Sequence, residues 1–167
     1  MRSYSSLDIG ALQLTDTNNS LNAVLKSVLV DGYGSKPGAG WTMPFSGTNT
    51  AVFQQGAGGN NRFFRFVDAG YLGTTNRVAF CRGYESMTAV STGTGPFPTT
   101  GMVGSNGPVA LRYATQSVVN NSRWEIYASS SYCHVLVNYD YSGDGQWEYM
   151  SFGTGISTKP GVNSSIS

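Results

Sequence analysis

Residues 30–45 read Val-Asp-Gly-Tyr-Gly-Ser-Lys-Pro-Gly-Ala-Gly-Trp-Thr-Met-Pro-Phe. Four glycines and two prolines in sixteen positions rule out a regular helix or a long strand and specify fixed turns instead. Tyr33, Trp41 and Phe45 supply large flat side chains to that connector, and each needs a surface to pack on. Upstream, Leu21, Val24, Leu25, Val28 and Leu29 fall at i, i+3, i+4, i+7 and i+8, one apolar helical stripe. Asn19 or Ser20 offers an N-cap, and Gly32 and Gly34 stop the helix. The sequence thus predicts one short helix near the N-terminus, ending in a glycine-rich turn.

From Trp41 onward the alternation is that of strands. Ala51–Gln54 is a short one. Arg62–Asp68 is stronger, with Phe64 and Phe66 on one face and Phe63, Arg65 and Val67 on the other. Asn76–Arg82 follows a turn centred on Gly70 to Gly73, and the pair makes the clearest hairpin. Residues 91–108, with Pro96, Pro98 and Pro108, read as a long loop rich in Gly, Thr and Ser. Val109–Tyr113, Arg123–Ala128, Cys133–Tyr141 and Trp147–Phe152 form a second strand block. There Trp124, Ile126 and Ala128 share a face, and Cys133, Val135, Val137 and Tyr139 alternate with His134, Leu136, Asn138 and Asp140. The expected fold is mainly β, a β-sandwich or a partly open β-barrel with one short N-terminal helix. Residues 1–19 read as an extended arm anchored by Leu7, Ile9, Leu12 and Leu14, residues 20–153 as one domain, and residues 154–167 as a Ser/Gly-rich tail.

Charge narrows the range of functions. Charged residues make up 11% of the chain, less than half of the ~25% usual in soluble domains. Ten Lys and Arg against nine Asp and Glu, with no basic run, supply no phosphate-neutralising patch, so no nucleic-acid partner is expected. No run approaches the ~20 apolar residues of a membrane-spanning helix, and no signal-peptide order is visible, so no membrane partner is expected. A Ser/Thr/Asn surface with few charges is poorly protected against association. The expectation is a subunit that lives in an assembly.

The residues offer little chemistry. His134 is the only histidine, and no GxSxG, HExxH or phosphate-loop motif occurs. Cys81 and Cys133 are the only cysteines and lack zinc-ligand spacing; they are packed strand side chains or a disulfide, which geometry decides. Cys133 and His134 are strand neighbours on opposite faces and cannot form a dyad, whereas Cys81 with His134 stays open. Asp140, Ser142 and Asp144 match the first three ligands of a calcium loop, but Ser151 stands where the chelating Glu belongs, so a hairpin turn is the preferred reading. Glu125 and Glu148 are the one pair that could serve as glycosidase carboxylates. No catalytic residue, cofactor or metal is expected.

Binding is the better-supported role. Tyr33, Trp41, Phe45, Phe63, Tyr71, Tyr84, Trp124, Tyr127, Tyr132, Tyr139, Tyr141, Trp147 and Tyr149 exceed what a small core needs; of these Tyr33, Trp41, Phe45, Tyr139, Tyr141 and Trp147, with Arg62 and Arg65, form the candidate interface set. Arg62, Arg65, Arg77 and Arg82 all fall on the hairpin, as solvated edge charges or as a subunit contact. The Tyr139–Trp147 segment fits either a protein interface or a sugar-stacking site.

Several segments resemble small virion structural proteins of tailed bacteriophages. They are Leu25–Gly34, Gly40–Asn49, Val52-Phe53, Phe64–Asp68 and Arg82–Met87, preceded by Gly10–Leu14 and Ser20-Leu21. The similar region covers about residues 4–100, and Arg123–Tyr127 and Tyr149–Gly153 look like two later strands of the family. These are turn and packing residues. The resemblance implies a place in the particle and brings no catalytic residues with it. The expected role is a capsid decoration or cement protein that joins major capsid protein subunits, as a homo-oligomer in the virion. A tail, baseplate or neck component and a host-surface glycan-binding module are the alternatives.

Overall fold

The computed structural model describes residues 1–72, 76–99, 108–115, 122–139 and 146–154. Two antiparallel sheets face each other across a shared apolar core, which makes the fold a β-sandwich; among the described residues neither sheet closes into a barrel. The first sheet has the order β1 (Arg2–Ser5), β8 (Arg123–Ala128), β9 (Tyr132–Asn138), β10 (Trp147–Gly153). The second runs β2 (Thr42–Gly47), β3 (Thr50–Gln54), β4 (Phe63–Leu72), β5 (Asn76–Ala89). Beyond β5, β7 (Val109–Thr115) pairs with its first half and β6 (Thr92–Phe97) with its second. Helix α1 (Ser20–Lys26) continues into a π-helical turn, Ser27–Asp31.

Strand alternation builds the core. Trp124, Ile126 and Ala128 of β8 and Cys133, Val135 and Val137 of β9 point inward and are buried. Phe64 and Phe66 of β4 meet them from the other sheet. Trp41, Phe64 and Phe152 form a triangle of rings, with centroids 5.8, 5.6 and 5.3 Å apart. Such pairs contribute about 0.5–1.5 kcal/mol each beyond the area they bury. All five residues of the helical stripe are fully buried, and the helix packs on β4. It stops at Gly32, whose φ of +81° suits glycine and whose Cβ, if present, would lie 2.5 Å from the Lys36 carbonyl oxygen.

The helix cap differs from expectation. Asn19 occupies the N-cap position with φ 69°, but its side chain bonds no helix N–H. The cap comes from β4 instead: Asp68 Oδ2 accepts the N–H groups of Leu21 at 2.9 Å and Asn22 at 3.2 Å. Asp68 is fully buried, and Tyr113 donates its hydroxyl to the other carboxylate oxygen.

The N-terminal segment is not a free arm. Arg2–Ser5 pairs with β8, Tyr4 and Leu14 are buried, and Leu14 bridges to Ser122. Leu7, Ile9 and Leu12 are exposed and anchor nothing among the described residues. The reason is local: Asp8 accepts the N–H of Ser5 at 2.8 Å, the hydroxyl of Tyr33 at 2.8 Å and the ammonium of Lys36 at 2.6 Å, pinning the turn to the chain's own body. Lys36 also donates to the Ser3 carbonyl at 2.9 Å. The outward N–H of Ser5 and C=O of Ser3 are thus occupied, which seals the β1 edge against further pairing.

Two other boundaries move. The expected 91–108 loop begins with a strand, β6, because β5 extends to Ala89 and offers it a ladder. Gly70 and Tyr71 lie inside β4, past a bulge after Val67, rather than in the turn. Residues 155–167 of the expected tail and 100–107 of the expected loop lie outside the described residues.

Candidate functional site

The outer face of the first sheet gathers three of the four exposed aromatic side chains among the described residues; the fourth, Tyr71, is on β4 of the second sheet. Register sets three rows across it. One is Ser3, Tyr127, His134 and Ser151; the next is Ser5, Glu125, Leu136 and Tyr149; the third is Arg123, Asn138 and Trp147. Tyr149 is 75% exposed, Trp147 45% and Tyr127 37%. They face outward because their neighbours Met150 and Phe152 on β10, and Ile126 and Ala128 on β8, fill the core.

Polar groups sit between the rings. His134 Nδ1 lies 2.5 Å from Ser151 Oγ, and its ring lies 6.1 Å from that of Tyr149. Tyr127 donates its hydroxyl to Glu125 at 3.3 Å. Asn138 Oδ1 is buried and has no hydrogen-bond partner among the described residues. The face can therefore stack on flat or apolar groups and exchange hydrogen bonds around them. These are the properties of a docking surface.

The expected interface set divides. Trp147 belongs to this face. Tyr33 and Trp41 do not, because the core claims them. Tyr33 packs between Tyr4 and Trp124, and its phenol is pushed up by burial and by Asp8 beside it. Trp41 donates its indole N–H to the Ser129 carbonyl at 2.6 Å. Tyr139 is also buried, with the Arg112 guanidinium 4.7 Å above its ring. Tyr141 and the Asp140–Asp144 turn lie outside the described residues.

Phe45 and Arg65 share a cross-strand row with Val52 and Arg82 on the outer face of the second sheet. The β5–β6 connection folds back over that row, and Arg65 Nε donates to the Val90 carbonyl at 2.8 Å. Arg62 pairs with Glu85 at 2.7 Å and lies over the Phe97 ring. Arg77 stands apart and buried. It binds Asp16 Oδ1 at 3.0 Å, the Asp16 carbonyl at 3.1 Å and Tyr71 OH at 2.5 Å. The four arginines do not make one patch.

The candidate chemical pairs are separated. His134 is on the outer face, whereas Cys81 and Cys133 are free thiols in the core. Burial raises both thiols well above their ordinary range, so neither is an activated nucleophile. Glu125 faces outward, while Glu148 turns to Arg112, whose backbone N–H it accepts at 2.8 Å. The described residues contain no group of three or more metal-ligating side chains.

Beside the face, at the β10 edge, a cavity of about 300 Å³ opens between the sheets. Phe64, Cys81, Phe97, Val109, Met150 and Phe152 are among the residues that line it. Compared with protein-family models, curated proteins and solved structures, the chain matches none of them.

The sequence signal for Tyr127 and Tyr149 as site residues lies in their parity. Each alternates with buried neighbours, so each was assignable to an outer face. That the two faces belong to one sheet depends on β8–β9–β10 register, which a single sequence does not display.

Proposed function

We propose that this protein is a structural subunit of a phage particle that docks onto a neighbouring virion protein through the outer face of its first sheet. The observation that carries the docking role is the grouping of Tyr127, Trp147 and Tyr149, all exposed, on one sheet face with His134, Asn138 and Glu125 between them. Exposed Tyr and Trp are the residues from which interface hot spots are most often made. The virion setting rests on the resemblance across residues 4–100, and within it a capsid decoration role fits best. The partner is then the major capsid protein, and the mechanism is non-covalent clamping.

The test is sedimentation of purified protein with particles that lack it. Wild type co-sediments, and Trp147→Ala with Tyr149→Ala weakens binding at least tenfold while the fold is retained. Equal binding by the double variant would remove the face from the contact. Failure of the wild type to bind any such particle would end the decoration reading.

A second reading, a glycan-binding module of the virion surface, is favoured by the same planar rings flanked by hydrogen-bonding groups. It predicts unchanged particle incorporation and lost adsorption for Trp147→Ala, and a glycan array without a binder would exclude it.

A further inference from the structure

Arg65 and Arg82 stand directly opposite each other across the β4–β5 ladder, on the outer side of the second sheet. Residues so opposed carry their Cβ atoms about 4.5–5.5 Å apart, and like charges in that relation are destabilising. A carboxylate beside the pair would offset the cost. Among the described residues none does: the ion pairs there engage Lys26, Lys36, Arg62, Arg77 and Arg112, and neither Arg65 nor Arg82.

The acids are committed elsewhere. Of the nine in the chain, Asp8, Asp16, Asp31, Glu85 and Glu148 belong to those five ion pairs. Asp68 is buried at the helix end, and Glu125 lies on the outer face of the first sheet. Asp140 and Asp144 lie outside the described residues, in the segment that joins two strands of the first sheet. Residues 100–107, which join β6 to β7, read Thr-Gly-Met-Val-Gly-Ser-Asn-Gly and carry no carboxylate whatever their path.

The surroundings raise the cost of the pair. Val52, next to Arg65 in the same row, is fully buried, so this part of the outer side is shielded from water. Arg65 is held by its Nε–H, donated to the Val90 carbonyl, and its terminal amino groups make no hydrogen bond among the described residues. Arg82 Nε is buried and has no acceptor among the described residues. Charges in such a place interact more strongly than in bulk water, and a buried donor without an acceptor adds its own penalty.

We propose that Arg65 and Arg82 together bind one doubly charged oxyanion of the phosphate type on the outer side of the second sheet. Two guanidinium groups balance the charge of one hydrogen phosphate, and each planar group can meet two of its oxygens. The ligand replaces one repulsion with two attractions and supplies acceptors to donors that lack them. Arg62, the nearest cation along β4, is already neutralised by Glu85, so the site suits one small anion and not a polyanion. Through Arg65 and Val90 the anion would also tie the β5–β6 connection down onto the sheet. This site is on the other sheet from the aromatic docking face and does not depend on that face binding a particle.

The experiment titrates the full chain with inorganic phosphate above neutral pH, against chloride and acetate at equal ionic strength. Nuclear magnetic resonance follows the arginine Nε–H groups, and thermal melting is read beside it. With phosphate alone, the Nε–H signals of Arg65 and Arg82 are expected to shift together along one saturable curve, and Tm to rise. Arg82→Gln is expected to weaken phosphate binding at least tenfold. In phosphate-free buffer it should melt no lower than wild type, because the repulsion is removed with the charge. Arg65→Lys keeps the charge but loses the fork, and should also bind phosphate more weakly. An equal response to acetate or chloride would overturn the proposal, as would wild-type signals that do not saturate with phosphate. So would an Arg82→Gln variant that melts lower in every buffer while its phosphate response matches wild type, the pattern of a purely structural arginine. Should Arg82→Gln fail to fold, the wild-type titration still decides.

Discussion

Asp68 Oδ2 lies 2.9 Å from the backbone nitrogen of Leu21, a residue forty-seven positions earlier in the chain, and caps its helix. The same carboxylate binds Asn22 N–H and the Tyr113 hydroxyl, so one buried acid joins α1, β4 and β7. Asp68→Ala is expected to cost about 3 kcal/mol, since three polar groups lose a buried partner at once. Chemical denaturation measures it. An equally stable variant would show that the helix end finds other partners.

The pH dependence of the same residue follows from its burial. Desolvation raises the Asp68 carboxyl above its ordinary range, only partly offset by Tyr113, the two N–H groups and Arg77. A raised folded-state value means that this contribution is complete below about pH 4 and lost as pH rises through the folded value. Asp8 works in the opposite direction. Burial opposes its ionisation, but Lys36, Tyr33 and Ser5 outweigh it and hold the carboxyl low. Its contribution is present above about pH 4 and lost as pH falls through the folded value. Stability-versus-pH curves of Asp68→Asn and Asp8→Asn should therefore depart from wild type with opposite slopes.

Arg77 should prove irreplaceable by lysine. Its planar fork serves Asp16, Asn18 and Tyr71 together, and the guanidinium lies 4.1 Å from the Tyr71 ring. Arg77→Lys keeps the charge but not the geometry, and a loss of about 2–3 kcal/mol is expected. Protease cleavage between residues 14 and 19 should accelerate in step.

Trp41 and Trp147 should separate cleanly. Trp41→Ala empties a core position and is expected to cost about 3–5 kcal/mol. Trp147→Ala should change stability by less than about 0.5 kcal/mol and act on binding alone. Thermal melting beside particle co-sedimentation distinguishes them, and a large stability loss for Trp147→Ala would place that residue in the core instead.

The thiols should be silent in the folded protein. Cys81 and Cys133 are buried and free, and burial raises both. For Cys133, reaction with an aromatic disulfide reagent is expected to follow the global unfolding rate. Fast labelling of Cys133 in native buffer would contradict its place between the sheets.

Much of the sandwich was legible because its signals are local. The Phe64/Phe66 alternation, the β8 and β9 patterns and the helical stripe each declare a face within a few residues. What stayed hidden depends on distant partners. Nothing near Asn19 signals that Asp68 caps the helix, and nothing near Tyr4 signals that β8 accepts it as a neighbour. Tyr33 and Trp41 read as surplus aromatics because a turn has no alternation to assign its side chains to a face; only the packing of Tyr4, Trp124 and Phe152 shows where they go. The glycines at 93 and 95 suggested a loop, and the long β5 beside them made a strand.

Lys36, Asp8 and Tyr33 do more than hold the first turn in place. Subunits crowded at high local concentration are at risk of running sheet into sheet without limit, and a bare edge on both sides of a molecule is enough to start a fibre. With the β1 side stoppered, the backbone of one molecule cannot template the next from that direction. Backbone pairing of one first sheet with another is left only the β10 side, so order of attachment, and not strength of contact, is what this turn governs.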